Sequence, residues 1–233
     1  METLKLRFTS LANLPNDFFS VSKMKWLLLK CPCVVKMESR FYKFQNLSSL
    51  KLEGCNKLEE LPDLHNLPNL KEIAIINCFK LKKIPEKFGK KGTYPLLQRF
   101  SIVLLKNLEE LPVIEEGAMP SLQIFTVMLC EALRSLPESY LNIRKLQKIR
   151  LWGCSMSIEN LRKENKTRVV TKSTTEVISI LEKWSQAENL REHYFYGEFW
   201  CNEFSLFLQE IGERTGYMCS GTLGLCNFYM ESL

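Results

Sequence analysis

No two of the nine cysteines in this chain are spaced C-x-x-C. An odd number of cysteines without that spacing speaks against both a disulfide framework and a zinc site. No run of 18 apolar residues occurs, and no basic-then-apolar leader opens the chain, so neither a membrane span nor secretion is expected. A reducing, cytoplasmic setting suits the free thiols best. The G-x-x-x-x-G-K-(S/T) phosphate loop is missing too, since Gly89-Lys-Lys-Gly92 does not match it. Positive charge is in excess, a formal +6, but it does not form the dense basic stripe of a nucleic-acid binder. Hence no nucleic-acid partner, no membrane, no metal and no cofactor are expected. The 233 residues, 45% of them hydrophobic, suffice for one large or two small globular units.

What is abundant is leucine at fixed intervals. Phe44, Leu47, Leu50, Leu52, Cys55, Leu58, Leu61 and Pro62 spell apolar-xx-L-xx-L-x-L-xx-C-xx-L-xx-L-P. The template returns as Leu67, Leu70, Ile73, Ile75, Cys78, Leu81, Ile84, Pro85. It returns again as Tyr94, Leu97, Phe100, Ile102, Leu105, Leu108, Leu111, Pro112. A further copy is Met119, Leu122, Phe125, Val127, Cys130, Leu133, Leu136, Pro137, and a partial one is Ile143, Leu146, Ile149, Leu151, Cys154. Two looser copies precede these, one at Met24, Leu27, Leu29 and Pro32, the other at Leu4, Leu6, Leu11, Leu14 and Pro15. The second apolar residue of each L-x-L falls at 6, 29, 52, 75, 102, 127 and 151, in steps of 23, 23, 23, 27, 25 and 24. These are leucine-rich-repeat intervals.

The spacing dictates the architecture. L-x-L is a short strand whose two apolar side chains point one way and whose neighbours point the other. The proline after it discourages a longer strand. One repeat carries about seven apolar anchors, each contributing roughly 1.5–3 kcal/mol when fully buried. Ordering its backbone costs on the order of 1–2 kcal/mol per residue, so a single repeat with both flanks wet does not fold. Stacking buries the flanks and pairs the strands in parallel. The predicted fold is an α/β leucine-rich-repeat solenoid over 1–155, a horseshoe with a parallel sheet on its concave face.

After Cys154 the template stops. Residues 156–172 read as a linker, polar and basic over 160–168. Ser173-Thr-Thr-Glu176 is a capping-box pattern that leads into Val177, Leu181, Trp184, Ala187 and Leu190 at helical spacing. Trp200, Phe204, Phe207, Leu208 and Ile211 form a second amphipathic stretch, with Gly212 as its stop. A mainly α-helical extension over 173–233 is therefore expected, in the role of a cover for an open solenoid end. Leu4 and Leu6 begin a repeat three residues after Met1 with no polar cap before them, which suggests a piece of a longer protein or a truncated product.

L-x-L-x-G-C-x-x-L-x-x-L-P over Leu50–Pro62, and the L-W-G-C of Leu151–Cys154, resemble the leucine-rich repeats of plant nucleotide-binding leucine-rich-repeat (NLR) disease-resistance proteins. Leu108-Glu-Glu-Leu-Pro112 through Ala118-Met-Pro-Ser-Leu122 is similar to their repeat junctions. The resemblance covers about residues 1–155. It implies a horseshoe that senses pathogen molecules or host targets and restrains a nucleotide-binding module. Extracellular plant receptors favour an L-x-G-x-I-P ending, whereas this chain has Leu58-Glu-Glu-Leu-Pro62, the intracellular pattern.

The expected partner surface consists of residues flanking L-x-L. Those chosen are Trp26, Leu28 and Lys30, then Lys51, Glu53, Glu72 and Ile76, then Arg99, Val103, Ile124 and Met128, and finally Lys148, Arg150 and Trp152. Apolar side chains on neighbouring strands would merge into an exposed patch, and Trp and Arg are enriched at interface hot spots. The partner would be a protein: a pathogen effector, a guarded host protein or the receptor's own nucleotide-binding module. Cys55, Cys78, Cys130 and Cys154 read as stacked, buried repeat residues. The run Lys80, Lys82, Lys83, Lys87, Lys90, Lys91 reads as a solvated convex loop.

No catalytic residue is expected. The enzyme alternative is a leucine-rich-repeat ubiquitin ligase with Cys201 as nucleophile and His193 as the nearby histidine, but Cys201-Asn-Glu203 lacks that family's aspartate. A third alternative is an intracellular signalling adaptor, whose repeats are uniform and carry asparagine at the turn where this chain has cysteine.

Overall fold

A computed structural model describes residues 3–7, 18–19, 23–37, 39–154 and 168–172. The chain divides into two compact units, Met1–Thr171 and Lys172–Leu233. The helices expected over 173–233 lie outside the described residues, as do Cys201 and His193.

Each L-x-L forms a five-residue strand: β1 (Thr3–Arg7), β2 (Trp26–Lys30), β3 (Ser49–Glu53), β4 (Glu72–Ile76), β5 (Arg99–Val103), β6 (Ile124–Met128) and β7 (Lys148–Trp152). They lie side by side in sequence order, and every pair from β1–β2 to β6–β7 is parallel. The register is unbroken: Leu6, Leu29, Leu52, Ile75, Ile102, Val127 and Leu151 follow one another across the sheet. A repeat solenoid requires this order, because each coil can bury its anchors only against the next. Within the stretch read as a linker, Arg168–Lys172 is a strand, β8, last in the sheet order.

The core lies on one side of the sheet and runs the length of the stack. Leu50, Leu52, Cys55, Leu58, Leu61, Leu64, Leu67 and Leu70 are all buried, and their counterparts in the following coils are buried with them, save the partly buried Cys154. In the central coils the first strand anchor is phenylalanine. There Phe88 stacks on Phe100 at 5.9 Å between ring centroids, Phe100 meets Phe125 at 5.4 Å, and Phe125 stacks on Tyr140 at 4.7 Å. The larger rings fill the wider coils whose repeat steps reach 25 and 27 residues, since interiors pack without voids. A second aromatic cluster of Phe18, Phe19, Phe41 and Phe44 fills the early coils.

The prolines do more than end strands. Pro85 and Pro137, at φ −57° and −56°, directly precede 3-10 turns at Glu86–Gly89 and Glu138–Asn142. Proline's fixed φ is pre-set for that position, and its missing N–H leaves no donor to satisfy.

Immediately after most strands the backbone turns left-handed: Gly54, Asn77, Leu104, Leu129 and Gly153 have φ between 52° and 64°. The turn aims the N–H at the next coil. Gly54 N–H donates to Ile76 O at 2.9 Å, Asn77 to Val103 O, Leu104 to Met128 O, and Leu129 to Trp152 O at 2.8 Å. At the other end of the strands, the N–H groups of Gln98 and Arg99 both donate to Lys71 O, and those of Gln123 and Ile124 to Gln98 O. Backbone donors and acceptors are thus satisfied from coil to coil rather than within a coil.

Candidate protein-interaction surface

In β2 to β7 the first, third and fifth residues of the strand point away from the core. Parallel register lines them up in three rows. From β2 onward the first row is Trp26, Ser49, Glu72, Arg99, Ile124 and Lys148; the third is Leu28, Lys51, Ala74, Ser101, Thr126 and Arg150. The fifth-residue row runs through Glu53, Ile76, Val103, Met128 and Trp152. It changes chemistry along the stack, from a carboxylate on β3 to an apolar ladder on β4 to β7.

Nine of the fourteen chosen residues reach solvent. Trp26, 46% exposed, and Arg99 are the most open, while Leu28, Lys30, Ile124, Met128, Lys148, Arg150 and Trp152 are partly exposed. The other five depart from the expected exposure: Lys51, Glu53, Glu72, Ile76 and Val103 are buried, together with Ser49, Ala74 and Thr126 on the same rows. Strands lie about 4.8 Å apart, so each outward side chain packs against its neighbours in the row. The charged ones also fold onto one another. Glu53, 1% exposed, is ion-paired with both the Lys30 ammonium and, at 2.9 Å, that of Lys51. Glu72 pairs with Arg99 on the next strand. A buried carboxylate is tolerable only with such partners.

The electrostatics change at β7. Burial holds the Arg150 guanidinium below its usual range. Lys148 and Arg150 stand two residues apart on one strand and therefore on one face. Beside them on β6 are Ile124 and Met128, register partners of Lys148 and Trp152.

The four repeat cysteines sit in or against the core, as repeat residues should. Cys55, Cys78 and Cys130 are buried and Cys154 is partly buried, all as free thiols. Their sulfurs lie near backbone carbonyls, Cys78 Sγ 3.4 Å from Ile76 O and Cys130 Sγ 3.5 Å from Met128 O. A hydrogen bond with the Cys55 thiol, together with burial, pushes Cys78 well up; burial does the same to Cys130 and brings Cys154 to about 11. These three thiols, held protonated, are poor nucleophiles, whereas hydrogen bonds with the Cys31 and Cys78 thiols hold Cys55 well below the usual thiol range. Among the described residues no group of three or more His, Cys, Asp or Glu could hold a metal ion, and no helix is long and apolar enough to cross a membrane.

The lysine run is solvent-exposed, as expected, and it also ties coils together. Lys87 pairs with Asp63 at 3.1 Å, Lys90 with Glu115 at 2.7 Å, and Lys80 approaches Glu59 at 4.0 Å. Sequence reasoning missed the left-handed positions Asn77, Leu104 and Leu129. Gly54 and Gly153 at the equivalent position were the available signal.

No family model matches the chain. It is 35% identical over 82 residues to the Disease resistance protein RPS4B of Arabidopsis thaliana, a match that takes in 35% of this chain and 7% of that protein. Among solved structures it is similar to the leucine-rich repeat domain of the type III effector XopL, with 17% identity, a TM-score of 0.48, and 73% and 76% of the two chains covered. A leucine-rich-repeat protein of Leptospira interrogans is similar with 18% identity, a TM-score of 0.36, and 77% and 57% covered. In its repeats and in this partial sequence match, the chain resembles the leucine-rich-repeat domain of plant NLR disease-resistance proteins.

Proposed function

We propose that this chain is a non-catalytic protein-binding scaffold, the ligand-sensing and autoinhibitory leucine-rich-repeat part of a cytoplasmic plant immune receptor. The observation that carries the reading is the outward face of β2 to β7. Apolar and cationic side chains recur there on consecutive strands in unbroken register. A continuous surface of that kind is what repeat proteins use to grip other proteins, and Trp26, Arg99, Arg150 and Trp152 are residue types that carry interface energy. The partial likeness to a disease-resistance protein supports the immune assignment. The burial of Cys78 and Cys130 supports a packing role for these thiols.

Co-purification tests this. The full chain is coexpressed with the nucleotide-binding module of the Arabidopsis disease-resistance relative, with Trp26→Ala, Arg150→Ala and Trp152→Ala variants alongside. The expected result is association with the wild-type chain and its loss in the variants, all of which keep a wild-type melting transition. Equal recovery of the module by all four chains would remove this face from the function.

A further inference from the structure

Behind the sheet, three thiols form a column in the core. Cys31, Cys55 and Cys78 stand on consecutive coils, each fully buried and each a free thiol. Cys55 and Cys78 hold the same place in their repeats, three residues after Leu52 and Ile75, which are register partners. Cys31 stands one residue earlier in its coil, two after Leu29. Just before the cysteines, the Gly54 N–H donates to Ile76 O at 2.9 Å, so the ladder that spaces the two coils extends past the strands. That spacing is about 4.8 Å, inside the roughly 4.4–6.8 Å that separates the Cα atoms of bridged cysteines. The side chains also meet: the Cys55 thiol shares hydrogen bonds with those of Cys31 and Cys78.

We propose that Cys55 and Cys78 are a peroxide-oxidisable pair, joined under oxidation by a disulfide that fastens the β3 coil to the β4 coil behind Glu53 and Ile76. The pair lies in the core, so the inference does not depend on what the outward face binds. Hydrogen bonds with Cys31 and Cys78 outweigh burial and favour the Cys55 thiolate, the form that attacks a peroxide. Its sulfur bonds to one peroxide oxygen and the O–O bond breaks. The released hydroxide takes up the proton that Cys55 gave up and leaves as water. Cys78, kept a thiol by its bond with Cys55 and by burial, then attacks the sulfenic sulfur of Cys55. The S–S bond forms, the S–O bond breaks, and the Cys78 proton leaves with the hydroxyl as a second water. Two thiols are oxidised and one peroxide is reduced. Neither sulfur is open to solvent, so the reaction waits on a local parting of the coils, and a small neutral oxidant needs only a small one.

The test treats the full chain with hydrogen peroxide, blocks the remaining thiols and digests with trypsin without reductant for mass spectrometry. Cleavage after lysine leaves Cys55 in Leu52–Lys57 and Cys78 in Glu72–Lys80. The expected product is these two peptides joined, about tenfold more abundant than any other linkage of Cys55, because the fold holds this pair together. Reductant should separate them, and in the urea-unfolded chain the excess should vanish. Cys55→Ala and Cys78→Ala should each lose the joined peptide; the wild-type map reads the pair directly even where a variant fails to fold. Cys55 joined chiefly to Cys31 or to another cysteine, Cys55 left unoxidised, or the same spread of linkages in folded and unfolded chain would overturn the inference.

Discussion

Gly89 lies against the backbone of Val113 in the next coil, so closely that a Cβ at position 89 would stand 1.9 Å from the Val113 carbonyl oxygen. The Gly89 carbonyl in turn accepts the Glu115 N–H at 2.7 Å. The contact fastens the longest repeat, whose step from Ile75 to Ile102 is 27 residues, to the coil that follows. Gly89→Ala must push that coil away, and overpacking of this kind costs about 1–3 kcal/mol. Urea unfolding should show the loss; an unchanged midpoint would mean that the coils are not held this tightly.

Gly54 presents the opposite case. Nothing stands within 4 Å of a Cβ built there, yet its φ is +63°. Gly54→Val should cost about 1–2 kcal/mol from backbone conformation alone. Gly54→Asn should cost far less, since Asn77 holds the same place one coil later at φ 54°. Equal thermal shifts for the two variants would refute the conformational explanation.

The aromatic stack through Phe88, Phe100, Phe125 and Tyr140 makes the central coils depend on one another. Phe100 is fully buried, so Phe100→Ala should destabilise by about 3–5 kcal/mol. Because each coil rests on its neighbours, amide hydrogen exchange should quicken in β4 and β6 as well as in β5. Faster exchange confined to β5 would contradict the coupling.

Burial works to raise the Asp63 carboxyl, but hydrogen bonds from His65 and Lys87 outweigh it and hold the group below its usual range. A carboxyl with a depressed folded-state pKa stabilises the fold above its unfolded value, near 3.9, and loses that contribution as pH falls through the folded value. Stability should therefore hold from neutral pH down to about pH 5 and fall below about pH 4. The Asp63→Asn variant should show a shallower acid slope. Matching slopes for the two proteins would exclude this pair as a source of acid sensitivity.

The repeat was legible because burial leaves a periodic trace in the chain. Each of Leu27, Leu50, Ile73, Phe100, Phe125 and Ile149 is apolar at its expected place, and each lies in the core. The outward exposure of nine of the fourteen residues was legible too. Trp26, Arg99 and Trp152 stand outward and reach solvent because alternation along a strand needs no knowledge of neighbouring coils. The burial of Lys51, Glu53, Glu72, Ile76 and Val103 was not legible, since it depends on which side chains stand in adjacent coils. Leu104 and Leu129 were hidden for another reason. Leucine is disfavoured at positive φ, so the turns they make announce themselves only where glycine or asparagine fills the same place.

The amino-acid order alone determined seven of the eight strands and, in β2 to β7, the side that faces the core, because those follow from apolar spacing within one repeat; β8 lies where the template had stopped. Only the assembled stack decided which outward charges meet. Glu53 found Lys30 and Lys51, and Glu72 found Arg99. The reason is register: residues 23 to 27 positions apart become strand neighbours only when coil lies on coil, and charges act on whatever stands closest in space.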